Sequence, residues 1–117
     1  MHYMLLLYGD QTQAAALPPA ERGAMYAAYG AYVAALEGAG VLLHSGPLQP
    51  VDTATTVRAV GGELQVLDGP FAETKEQLAG YFLVDVPDLD AALQWARQCP
   101  AVRGGAVEVR PMLRIAA

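Results

Sequence analysis

Two short segments of this chain are apolar whichever way their side chains point. In Tyr3-Met4-Leu5-Leu6-Leu7, closed by Gly9-Asp10, and in Gly80 to Val86, where Tyr81 and Leu83 alternate with Phe82, Val84 and Val86, a strand presents apolar groups on both faces. Their shortness and flanking turn residues favour strands over helices. A sheet built on them needs cover on two sides. The rest of the chain offers two amphipathic helical segments, which together can cover one face. A second copy of the chain, sheet against sheet, supplies the other cover.

The helical segments carry clear start and stop signals. Pro18 and Pro19 open the first, because a proline in the first turn forfeits no hydrogen bond, and Glu21 and Arg22 follow. Met25, Tyr29, Tyr32, Val33 and Leu36 recur at helical spacing before Gly38 and Gly40 stop the helix. Asp88 is a good N-cap for the second, in which Leu89, Ala92, Leu93 and Ala96 share a face and Cys99-Pro100 marks the end. Between the helices, Val41 to His44 reads as a strand ended by Ser45-Gly46-Pro47, and Leu48-Gln49-Pro50 as a rigid loop. Thr55 to Val60 and Glu63 to Leu67 flank Gly61-Gly62, whose tolerance of positive φ suits a type I′ hairpin. Ala106 to Arg110 supplies the last strand. The order strand, helix, strand, hairpin, strand, helix, strand predicts an α+β fold, a ferredoxin-like split βαβ plan with an inserted β-hairpin.

Composition narrows the function classes. A chain of 117 residues with 54% hydrophobic content predicts one domain over residues 1–117. Twelve acids against seven bases give a net charge of -5 without a basic block, which disfavours direct nucleic-acid binding. Met1 to Tyr8 is too short for a signal h-region or a membrane span, so a cytoplasmic protein without a membrane partner is expected. The single cysteine, Cys99, excludes an intrachain disulfide and a cysteine-based metal cluster, and reads as a small buried hydrophobe. Nothing in the residues calls for a metal or a cofactor.

The densest polar run is Asp68-Gly69-Pro70-Phe71-Ala72-Glu73-Thr74-Lys75-Glu76, which crowds turn-formers, an aromatic and four charges between apolar segments. Asp68 can close an Asx-turn, Gly69 can take positive φ, and Pro70 aims Phe71 in one direction. One reading is a structural loop with a packed aromatic. The other is a cleft wall: Glu73 to Glu76 begin a short helical turn capped by Thr74, Lys75 holds a carboxylate or phosphate, and Asp68 or Glu73 anchors the ligand or accepts a proton. His44, at a strand end, is a candidate general base or lone metal ligand, although no ligand spacing links it to His2. Tyr26, Tyr29 and Tyr32 place three phenols on one helix, with packing as the simpler role. The candidate set is therefore His44, Asp68 and Tyr29 for catalysis, and Asp68, Phe71, Glu73, Lys75 and Tyr29 for a small anionic or aromatic ligand.

The run Asp68 to Glu76, continuing as Gln77-Leu78-Ala79-Gly80-Tyr81, resembles letter for letter the signature of the DGPFAETKE proteins, a branch of the YCII-related superfamily. The resemblance extends from Tyr3-Met4-Leu5-Leu6 through Ser45-Gly46-Pro47-Leu48 to Val107-Glu108-Val109-Arg110-Pro111. It implies a homodimer, a dimeric α/β barrel of ferredoxin-like subunits with a cleft near the interface. It also implies a regulatory partnership with an extracytoplasmic-function sigma factor as an alternative to ligand binding, and shared architecture adds a cofactor-independent oxygenase-like enzyme as another. Enzyme-like YCII members carry a helix histidine and an acid suggestive of a His-Asp pair. Counting back from Leu42-Leu43-His44-Ser45-Gly46-Pro47 puts Tyr29 at that histidine, which makes it the best cleft candidate among the phenols, and Cys99-Pro100 replaces an Asp-Pro pair.

Overall fold

The computed structural model describes residues 1–114; the last three residues of the single domain expected over 1–117 lie outside the described residues. In chain order the elements are β1 (His2–Gly9), α1 (Gln11–Ala15), α2 (Pro19–Gly38), β2 (Leu42–Pro47), β3 (Thr55–Val60), β4 (Glu63–Asp68), β5 (Gln77–Asp85), α3 (Leu89–Gln98) and β6 (Gly105–Pro111). The two apolar runs become the centre of a four-stranded antiparallel sheet of order β2-β5-β1-β6, with Leu5 opposite Phe82 and Leu6 opposite Tyr81. This α+β arrangement is compatible with a ferredoxin-like plan.

One face of that sheet is covered. Tyr3, Leu5, Leu7, Phe82, Val84 and Val86 meet Tyr32 and Leu36 of α2, Ala92 and Ala96 of α3, and Cys99 in one core. Each fully buried aliphatic or aromatic side chain there contributes roughly 1.5–3 kcal/mol. Tyr32 ties the layers together: its ring stands edge-on to Phe82 at 5.1 Å and to Trp95 at 6.4 Å, and its hydroxyl donates to the Trp95 carbonyl at 2.8 Å. Asp88 accepts from the Ala91 amide at 2.9 Å, the expected cap of α3, while Leu89 in its first turn stays exposed. Among the described residues no helix is long and apolar enough to cross a membrane.

Three local outcomes differ from the sequence reading. The helix α1 is new, held by Asp10, which accepts from the Thr12 and Gln13 amides, and by Arg22, which donates to the Ala15 and Leu17 carbonyls. Its five residues carry no apolar stripe that could announce it. β2 does not end before Ser45-Gly46-Pro47 but runs through them, with Gly46 opposite Tyr81 and Pro47 opposite Gly80. On an edge strand a proline need not interrupt the ladder. Finally, Glu73 to Glu76 form no helical turn: the Thr74 hydroxyl donates to the Glu76 carbonyl at 2.5 Å instead of capping amides.

β3 and β4 pair only with each other, Val57 opposite Val66 and Ala59 opposite Leu64, around Gly61 and Gly62 at φ 61° and 84°. The hairpin projects from the body. The described chain is a slab of 48 × 47 × 17 Å with a radius of gyration of 16.2 Å, against about 13 Å for a compact chain of this length.

Candidate functional site

The polar run and the turn Val51–Thr53 border an open cleft of about 410 Å³, lined by Val51 and Asp52 on one side and by Pro70, Glu73, Thr74, Lys75 and Gln77 on the other. Local chemistry fixes both walls. The Gln11 side-chain oxygen accepts from the Val51 amide at 2.8 Å, and the Gln11 amide donates to the Gln77 side chain at 3.4 Å, so α1 clamps the turn against the start of β5. Gly69, at φ 106°, donates its amide to the Ala54 carbonyl at 2.8 Å, and its own carbonyl accepts from the Thr56 hydroxyl at 2.7 Å. Only a glycine takes that φ without strain, and the reversal it allows delivers Pro70 to the cavity. On the far side of the same turn a second depression, of about 330 Å³, is apolar, with Leu48, Pro50, Ala54 and Leu78 in its wall.

Of the residues singled out from the sequence, this cavity gathers Glu73 and Lys75. Asp68 closes β4 opposite Thr55, and Phe71 is 74% exposed with the Arg58 guanidinium 5.3 Å from its ring centre; neither lines the cavity, and Phe71 is not the packed aromatic expected of a purely structural loop. Asp52 and Gln77 join the site from separate segments, and Gln11, outside the lining, ties the two walls together. No spacing rule connects them, and only the fold brings them together. Among the described residues Lys75 makes no ion pair, while Asp52 and Glu73 place one carboxylate in each wall.

His44 belongs to a different place. Its Nδ1 lies 2.7 Å from the Tyr81 hydroxyl and the two rings stack 5.8 Å apart, on the sheet face opposite the helices. Gly46 makes room for this pair, since a Cβ on it would stand 3.0 Å from the Tyr81 ring, while a Cβ on Gly80 would meet the neighbouring strand's backbone, 2.8 Å from the Gly46 carbonyl oxygen. Tyr81 escaped the sequence reading as a polar candidate. Its signal was strand alternation, since a side chain pointing away from Phe82 shares the open face with the neighbouring strand's histidine. The same face carries half-buried Met4, Leu6 and Leu83 at its centre, and at the β6 edge a Glu108–Arg110 ion pair of 3.3 Å with the Tyr8 hydroxyl 3.5 Å from Glu108. Among the described residues no group of three or more histidine, cysteine or acidic side chains is placed to hold a metal ion.

The YCII-related domain pattern matches residues 1–116 of this sequence. The chain belongs to the YCII-related family. A curated relative, "Uncharacterized protein R00369" of Rhizobium meliloti (strain 1021), is 39% identical over 114 residues, spanning 96% of this chain and 92% of that protein.

For a YCII-related chain the neighbourhood of Tyr29 is informative, because Tyr29 and Cys99 occupy the positions that the family resemblance assigns to a histidine and an acid. Both sit under the helices: Cys99 is within the core and Tyr29 packs against it. Burial pushes the Tyr29 phenol up to about 12, and the adjacent Cys99 adds to the shift. Burial likewise pushes the Cys99 thiol up, opposed in part by a backbone hydrogen bond from Ala101. Burial thus disfavours the charged form of both groups. Tyr29 and His44 face opposite sides of the sheet, so no one cleft takes both.

Proposed function

We propose that this YCII-related protein is a homodimer that binds a small molecule in the cleft between the Val51–Thr53 turn and the Pro70–Gln77 loop, in an enzyme-like manner. The observation that carries this reading is the convergence of Lys75, Glu73, Thr74, Asp52 and Gln77 on one cavity of about 410 Å³, within the usual size of small-ligand sites. The Lys75 ammonium is a point charge with three donors, suited to a carboxylate or phosphate. Asp52 and Glu73 beside it repel a bare anion and accept hydrogen bonds, so they favour a ligand that brings its own hydroxyl or ammonium donors. A hydroxy acid or an amino acid fits this chemistry better than acetate. Either carboxylate can also serve as the proton acceptor for a bound hydroxyl.

Support for the homodimer comes from the open sheet face, whose apolar centre of Met4, Leu6 and Leu83 is rimmed by His44 and Tyr81 on one edge and by Glu108 and Arg110 on the other. An apolar centre with a polar rim is the anatomy of a protein interface.

Titration of the ¹⁵N-labelled protein with lactate, glycine, acetate and phosphate tests the cleft. Amide shifts are expected to concentrate at residues 51–53 and 70–77, and Lys75→Met is expected to weaken binding about tenfold or more, as loss of a charge-assisted hydrogen bond does. Shifts confined to other regions, or equal affinity in Lys75→Met, would refute the assignment.

A further inference from the structure

The β3–β4 hairpin is amphipathic. Residues directly opposite one another share a face, so Val57, Ala59, Leu64 and Val66 form one side, while Thr56, Arg58, Gln65 and Glu63 lie on the other together with Val60 and Leu67. The polar side turns back toward its own chain, where the Thr56 hydroxyl reaches the Gly69 carbonyl and the Arg58 guanidinium covers the Phe71 ring. The apolar side therefore points away from that loop, and nothing in the protomer covers it: Val57 is 62% exposed, Val66 68% and Leu64 78%. A lone two-stranded hairpin is marginal in water, and this one also leaves two strand edges unpaired.

We propose that the hairpin is a clasp whose Val57–Ala59–Leu64–Val66 face packs on a second copy of this chain, beside the seam made by the open sheet faces. Area selects that occupant. With strands about 4.8 Å apart and about 3.3 Å per residue, the open sheet face offers a footprint of roughly 500 Å² and the hairpin face roughly 200 Å². A stable interface takes about 800 Å² from each partner, which the two surfaces approach together and neither approaches alone. In a two-fold dimer each protomer gives and receives the same surfaces, so one association covers both apolar faces of both copies. The flat shape of the protomer, 17 Å through its thinnest direction, leaves the hairpin free to reach past its own body. Arg58, Gln65 and Glu63 then remain toward solvent and the chain's own loop.

The clasp rests on the homodimer reading, and the test separates the two. Sedimentation equilibrium is expected to give twice the chain mass of 12.3 kDa for the unaltered protein. The double substitution Val57→Lys with Leu64→Lys is expected to raise the dimer dissociation constant at least tenfold with unchanged circular dichroism, because both side chains are solvent-exposed in the protomer. Gln65→Lys, on the polar side, is expected to leave dimerisation as it was. Hydrogen exchange should show hairpin amides protected at high concentration and released on dilution. A double variant that dimerises like the parent, with freely exchanging hairpin amides, overturns the clasp and leaves the dimer standing. A parent protein that stays monomeric at every concentration overturns both.

Discussion

The two faces of the central sheet are built from alternate residues of the same strands, yet they do different things. Phe82 and Val84 of β5 are 6% and 0% exposed beneath the helices, whereas Tyr81 and Leu83, each one residue away, lie half-buried on the open side. The covered face has turned its titratable groups into packing: Tyr29 and Cys99 lie under the helices, where burial pushes both pKa values up. The open face keeps His44 hydrogen-bonded to Tyr81 and Glu108 paired with Arg110, where water or a partner can reach them.

The largest effect expected from this contrast is on stability. Leu5 is fully buried and Leu6, the next residue, is half-buried on the open side. Leu5→Ala is expected to cost about 2–5 kcal/mol in urea unfolding, the range for a truncated core leucine, and Leu6→Ala about 1 kcal/mol at dilutions where a dimer dissociates. A larger cost for Leu6→Ala at high protein concentration sharpens the contrast by locating the seam, and equal costs at dilution break it. A smaller effect is expected at Gly46. A Cβ there meets the Tyr81 ring at 3.0 Å and must displace it from His44, at about 1 kcal/mol for the lost hydrogen bond. The ¹⁵N shifts of the His44 ring in Gly46→Ala report the loss, and an unchanged ring spectrum would show that the pair does not depend on the glycine.

A further effect is alkaline. The folded Tyr29 phenol titrates at about 12 against an ordinary 10.0, so the unfolded chain releases its proton first as pH rises. The stability tied to the neutral phenol is fully present below pH 10 and is lost between pH 10 and 12. Melting temperatures should fall over that window, and Tyr29→Phe should fall less steeply; parallel profiles would remove Tyr29 from the covered core.

Much of the backbone was legible because its determinants are local. The Met25-to-Leu36 stripe, the Asp88 cap and the Gly61-Gly62 turn each act within a few residues, and each produced the expected element. The five-residue α1 and the continuation of β2 through Pro47 were hidden because one depends on side-chain clamps and the other on which strand lies at the sheet edge. The site was legible in part. Glu73 and Lys75 stood out in a charge-dense run, but Asp52 reaches the cavity from another segment, and the Val51–Thr53 turn and Gln77 are joined by Gln11 hydrogen bonds that no pattern along the chain encodes.

The residues alone determined that two runs would be apolar on both sides, that Cys99 would be buried, and that this chain belongs among YCII-related proteins. They could not say which side of the sheet the helices would take. Strand alternation puts successive side chains on opposite faces, but packing of Tyr32, Leu36, Ala92 and Ala96 decides which face becomes core. That choice, made only in three dimensions, buries Tyr29 with Cys99, leaves His44 and Tyr81 on the open side, and parts residues that the sequence had offered as one site.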